Sequence, residues 1–126
     1  MSRPSNRGGH LDAHKRGHRA ERLAVWMLRL KGYRIREVRF ATPVGEVDII
    51  ASRGSLLVLV EVKARPTFAD AAYAITLRQQ HRIERAALLW AQANGGEQAW
   101  QMRFDAVLVA PKALPRHMKG AWRPAI

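Results

Sequence analysis

The 126-residue chain contains no cysteine. That excludes a disulfide framework, a thiolate nucleophile and a Cys-ligated zinc site, and it fits a reducing compartment. Long apolar runs are missing too. The longest, residues 23–28 and 86–91, fall far short of the roughly 20 residues that cross a bilayer. After Met1 the first ten residues hold no apolar segment, so no secretory signal is read there and a cytoplasmic protein is expected. Acidic residues are few: 10 Asp/Glu against 22 Lys/Arg, a net charge of +12 with neutral histidines. Solubility needs far less charge than that. The excess points to a polyanionic partner, nucleic acid ahead of an anionic membrane surface. No basic helix has the broad, bulky aromatic face of a membrane-surface helix, so no membrane association is expected.

What is present suits one globular domain. Apolar residues are 48% and charged residues 25% of the chain, close to the globular average and enough for a single core. Residues 1–11 read as a flexible basic tail and 12–126 as the domain. Asp12 can cap a helix that runs to about Lys31, with Ala20, Leu23, Ala24, Met27 and Leu28 on one apolar stripe, Glu21 at the stripe's edge, and Gly32 as terminator. Strands are expected over 33–40, 46–52 and 56–65, the last two joined by the hairpin signal Ser52-Arg53-Gly54-Ser55. Thr76 opens a second helix with Ile83, Ala86, Ala87, Trp90 and Ala91 on its inner stripe, and Asn94-Gly95-Gly96 stops it. A fourth strand spans 100–109. Pro111 and Pro115 interrupt the chain beyond it, and the segment bearing Trp122 either adds a short strand or packs over the sheet. The order α-β-β-β-α-β predicts an α/β fold, a mixed central sheet flanked by helices.

Within two otherwise apolar strands stand Glu46 and Asp48, then Glu61 and Lys63. Buried strands rarely carry such residues. With a two-residue loop at Arg53-Gly54, Glu46 faces Glu61 and Asp48 faces Leu59, so Asp48 and Glu61 become diagonal neighbours about 6–8 Å apart at Cβ. Alternation then sends Glu46, Asp48, Glu61 and Lys63 to one face, and Val47, Ile49, Val58, Val60 and Val62 to the other. Adjacent carboxylates repel unless something neutralises them. Oxygen-only ligands suit Mg²⁺, with Mn²⁺ as a substitute. Lys63 could orient a water or stabilise charge on a phosphorane-like transition state. The competing reading is a surface hairpin with Glu–Lys cross-strand pairs, which explains Asp48 poorly.

An Asp followed by Glu-x-Lys on the next strand resembles the PD-(D/E)xK nuclease superfamily. More closely, Ala20-Glu21-x-x-Ala24, Gly32-Tyr33-x-Ile35, Gly45-Glu46-Val47-Asp48-Ile49-Ile50-Ala51, Val60-Glu61-Val62-Lys63-Ala64-Arg65 and Arg103-Phe104-Asp105 resemble the YraN/UPF0102 family of predicted bacterial endonucleases, over about residues 17 to 110. The resemblance implies a restriction-endonuclease-like fold similar to archaeal Holliday-junction resolvases, and Mg²⁺-dependent phosphodiester cleavage. It implies that Asp48 and Glu61 are metal ligands, that Lys63 is the catalytic lysine, and that Glu21 is a helix-borne carboxylate joining the metal site. Two positions depart from the family's habit. Arg78-Gln79-Gln80 stands where members often carry a lysine, and Val38-Arg39-Phe40 where they often carry Arg-Asn-aromatic.

The first 39 residues hold 11 Lys/Arg and 3 Asp/Glu. Lys15, Arg16, Arg19, Arg22 and Arg39, with Arg65, Arg78 and Arg82, are the expected phosphate-tracking residues. His10, His14 and His18 at i, i+4, i+8 read as a solvated segment rather than a zinc site. Trp26, Trp90 and Trp100 lie in apolar patterns and are expected in the core, leaving Trp122 as the base-stacking candidate. Asp105 is either a partner of the acidic site or paired with Arg103. The leading expectation is a single-domain, Mg²⁺-dependent endonuclease acting on structured or branched DNA. The alternative is a non-catalytic nucleic-acid-binding module on a nuclease fold. A homodimer would suit cleavage of two strands.

Overall fold

The computed structural model describes the backbone from residue 4, and side chains from residue 17 to the C-terminus. Helix α1 (Pro4–Leu30) leads into three consecutive antiparallel strands, β1 (Arg34–Thr42), β2 (Gly45–Arg53) and β3 (Leu56–Ala64). Two helices come next, α2 (Phe68–Tyr73) and α3 (Leu77–Ala93). Strand β4 (Gln101–Val109) then pairs parallel to β3, and the short β5 (Arg116–Met118) pairs antiparallel to β4. The sheet order is β1-β2-β3-β4-β5. A parallel β3–β4 pair needs a crossover, and α2 with α3 supplies it. Helix α1 begins at Pro4, so Asp12 stands inside it instead of capping it, and residues 4–11 of the expected tail are helical; residues 1–3 lie outside the described residues, as do the side chains of His10, His14, Lys15 and Arg16.

The mixed sheet with helices on both faces agrees with the sequence reading. On one face α1 packs Ala24 and Leu28 against Ile49, Ala51, Val58, Val60 and Val107. On the other, α3 packs Ile83, Ala86, Ala87 and Trp90 against Val47, Ile50, Leu57, Leu59 and Phe104. Two-sided coverage explains why β2 and β3 read as nearly continuous apolar runs rather than clean alternations. Both long helices stop or start where their signals lie. Thr76 and Gln79 form a reciprocal capping box at the start of α3. Gly32, at φ +93, ends α1 and lets Tyr33 N donate to the Leu28 carbonyl.

Three further expectations change. First, α2 is an added helix: six residues are too few to show a helical period, and it forms because Thr67 caps it and Ala71 packs under Ala106 and Leu108. Second, the β2–β3 loop is Gly54-Ser55, since Arg53 pairs with Leu56. Gly54, at φ +60, takes the first loop position that the turn requires. Third, the apolar side chains do not share one face. Ile49, Val58 and Val60 face α1, whereas Val47 sits with Ile50 in the α3-side cluster. Strict alternation therefore breaks between Val47 and Ile49, at Asp48.

Candidate active site

The shifted loop moves the register by two residues. Sides are conserved by an even shift, but neighbours change: continued along the strands, it brings Asp48 level with Glu61 instead of diagonal to it. The regular β2–β3 ladder ends at Ile49↔Val60. Beyond that point Val62 N donates to Asp48 Oδ2 at 2.8 Å, so a side chain stands in for a strand's backbone. The break in alternation, the end of the ladder and the carboxylate pair coincide.

Glu61 is 7% exposed. Burial raises its carboxyl from an ordinary 4.5 to about 8, and the charge of Asp48 and a hydrogen bond with it push the same way. Lys63 Nζ, 3.1 Å from Glu61 Oε2, lowers it without offsetting those causes. At neutral pH the pair therefore retains a proton, and a cation could take that proton's place.

These residues line a cavity of about 1150 Å³ at the end of the sheet, between α1, α3 and the segment after β4. Glu21 and Glu46 line it as well, and Arg19, Arg65, Arg82 and Lys112 rim it. Glu21 approaches from α1, but its Oε1 is held by Arg39 Nε at 2.7 Å. Arg39 reaches it from a left-handed backbone, φ +55, uncommon for a side chain of this kind. Glu46 pairs with Arg82 at 3.0 Å. The cavity thus brings Glu61 against both Asp48 and Lys63, with Glu21 at its wall. Among the described residues no three His, Asp or Glu side chains converge closely enough to hold an ion together.

Arg82 also borders a smaller depression of about 420 Å³ with Leu77, Arg78, His81 and Arg85, so the cationic surface continues along α3. Arg22 is exposed on α1. Two contributors were not legible in the sequence. Lys112 lies in a loop whose only signals are its flanking prolines. Gly45 opens the motif that carries Asp48 with no role of its own legible there, yet a Cβ at that position would collide with the Arg82 carbonyl oxygen. Only glycine lets α3 sit this close to the carboxylate strand.

Asp105 lies away from the cavity. It is fully buried and accepts from Arg103 through both oxygens at 2.8 Å, from His117 Nε2 at 2.7 Å and from Gly120 N at 2.9 Å. Burial alone would raise its carboxyl, but these donors together hold it down at about 2. The Lys31 ammonium, 2.9 Å from His117 Nδ1, can only donate, so Nδ1 accepts and Nε2 carries the proton that Asp105 receives. Of the two readings for Asp105, the pairing with Arg103 is the one found, and His117 was not anticipated.

The tryptophans sort differently from expectation. Trp90 is buried and donates to Glu37. Trp122 is half-buried against Phe104 and donates to Glu84, which removes it as a free stacking surface. Trp26, expected in the core, is 66% exposed. His18 is half-buried on α1. No helix among the described residues is long and apolar enough to cross a membrane.

Residues 20–109, which include Glu21, Asp48, Glu61, Lys63 and Asp105, match the profile described as uncharacterised protein family UPF0102. A UPF0102 protein of Nitrobacter winogradskyi is 53% identical over 106 residues, covering 84% of this chain and 90% of its own. One from Rhodopseudomonas palustris strain HaA2 is 53% identical over 110 residues, covering 87% and 86%. A third, from Bradyrhizobium sp. strain ORS 278, is 50% identical over 110 residues, covering 87% and 78%. The match spans all four long strands and α3, and on that extent the chain belongs to the UPF0102 family.

Proposed function

We propose that this protein is a metal-dependent endonuclease that hydrolyses phosphodiester bonds in structured or branched DNA. The observation that carries the reading is the Asp48–Glu61 pair: two touching carboxylates, one buried and raised to about 8, beside Lys63 in a cavity rimmed by arginines. A structural role accounts poorly for two adjacent carboxylates that one lysine only partly offsets. The resemblance of the Asp…Glu-x-Lys spacing to PD-(D/E)xK nucleases supports the same reading.

The donor set fits a hard divalent cation, because both groups offer only oxygen. Asp48 and Glu61 would hold Mg²⁺, or Mn²⁺ in its place, and Glu21 would join them on release from Arg39. Bound there, such an ion would polarise a phosphate oxygen and lower the pKa of a bound water. Lys63 places a fixed positive charge where negative charge grows in the transition state. Arg19, Arg65 and Arg82 draw the sugar-phosphate chain to the cavity, while Arg22 and Arg78 extend the track.

The second reading, a binding module without catalysis, draws support from the Glu21–Arg39 pair, which leaves two converging carboxylates rather than three. One panel separates the two. Labelled duplex, flap, single-stranded and four-way-junction DNA are incubated with Mg²⁺, Mn²⁺ or EDTA, using the parent and the Asp48→Ala, Glu61→Ala and Lys63→Ala variants. Metal-dependent cleavage that falls by orders of magnitude in all three supports the enzyme. Tight, salt-sensitive binding with no cleavage of any substrate supports the module.

A further inference from the structure

Helix α1 carries two apolar stripes. Ala20, Ala24 and Leu28 are buried. Around the helix from them, Leu23, Trp26 and Leu30 are 40%, 66% and 71% exposed. Their i, i+3, i+7 spacing puts the three on one outward face. An outward face is normally polar, and this one presents its largest ring to solvent.

We propose that Trp26 is a stacking platform for an unpaired base of the nucleic acid whose phosphates enter the cavity; the inference rests on the nucleic-acid reading above. The stripe is continuous with the cavity. Leu23 and Arg19 belong to its lining, and Trp26 lies one helical turn further on, about 4.5 Å along the axis from Leu23. Arg19, Arg22 and Arg29 flank it at i−7, i−4 and i+3, all exposed. An indole framed by guanidinium groups is what a strand with splayed bases requires: a π surface for the base and cations for the phosphates on either side. A second copy of the chain is a poor occupant, because pairing this face with itself would set the arginines of two +12 chains against one another. A duplex alone offers Trp26 no base face, so the contact selects for unpaired nucleotides beside the scissile phosphate.

The test uses binding without metal, so it does not depend on cleavage. Tryptophan emission is titrated with an oligothymidylate, and separately with a blunt duplex, in EDTA. The other three tryptophans are buried or half-buried, with Nε1 of each bonded to Glu37, Asn94 or Glu84, so Trp26 dominates any quench by contact. The oligothymidylate should quench the parent strongly, and Trp26→Phe should lose that quench while keeping most of the affinity. Trp26→Ala should weaken oligothymidylate binding by roughly five- to hundred-fold, the range that base stacking carries, and change duplex binding less than about two-fold. Melting curves of the variants should match the parent, since the side chain is mostly exposed. Equal loss on both DNAs, or no loss on either, overturns the proposal. So does a Trp26→Ala protein that keeps its oligothymidylate affinity but loses a dimer in gel filtration, or loses binding to phosphatidylglycerol vesicles. The nuclease reading fails separately: there the stacking persists and no substrate is cut.

Discussion

Two acids buried in the same sheet have opposite fates. Asp105, on β4, meets Arg103, His117 and the Gly120 amide, and its carboxyl is held at about 2. Glu61, on the neighbouring β3, meets another carboxylate and one lysine, and is raised to about 8. The strands pair in register and both side chains are nearly inaccessible, so depth alone does not separate them. The partners do. A satisfied buried acid ties structure together, whereas one left in need of a positive charge is held ready for something that arrives.

The largest expected effect breaks the satisfied side of this pair. Asp105→Ala strands the Arg103 guanidinium and the His117 and Gly120 donors, and should cost about 3–5 kcal/mol in urea unfolding. A loss below about 1 kcal/mol would remove the contrast with Glu61. Next comes the dependence on pH. Glu61 binds its proton more tightly when folded, so its contribution is complete below its ordinary 4.5 and is lost as pH rises through about 8. Asp105 binds its proton less tightly when folded, so its contribution is complete above 3.8 and is lost as pH falls through about 2. Glu61→Gln should therefore gain stability relative to the parent as pH climbs from about 5 to 9, and Asp105→Asn should flatten only the acid limb. Parallel melting curves for parent and Glu61→Gln across that range would show that Glu61 is not strained. A third, smaller effect concerns how α3 is seated: Gly45→Ala must displace the Arg82 carbonyl and should cost about 1–3 kcal/mol, with cleavage falling further than stability accounts for. The smallest is Arg39→Gly. It relieves a left-handed backbone and breaks an exposed ion pair with Glu21, so chemical denaturation should move by less than about 1 kcal/mol either way.

Much of the architecture was legible because local signals agreed with one another. β-branched runs on either side of Ser52-Arg53-Gly54-Ser55 marked β2 and β3, and Thr76 marked the start of α3. The acidic pair was legible because it interrupts those runs. Its spacing was not, since the expected Arg53-Gly54 loop and the observed Gly54-Ser55 loop differ by an even register shift and so only in who faces whom. Trp26 was misjudged because it stands inside a contiguous apolar run. A helix turns such a run through both of its faces, and here Ala24 and Leu28 go inward while Leu23 and Trp26 go out. The Asp105–His117 bond joins two strands across a loop holding Pro111 and Pro115. No period or motif connects its ends, so only the fold could reveal it.

The bond from Val62 N to Asp48 Oδ2 has a practical consequence. A carboxylate that both caps a strand amide and is free to engage an ion couples one backbone hydrogen to the occupancy of the cavity. Hydrogen–deuterium exchange at that single amide should therefore respond to added Mg²⁺ or Mn²⁺, while its neighbours in the paired ladder, such as Val60, exchange as before. That amide is a label for the proposed metal binding, readable without any substrate.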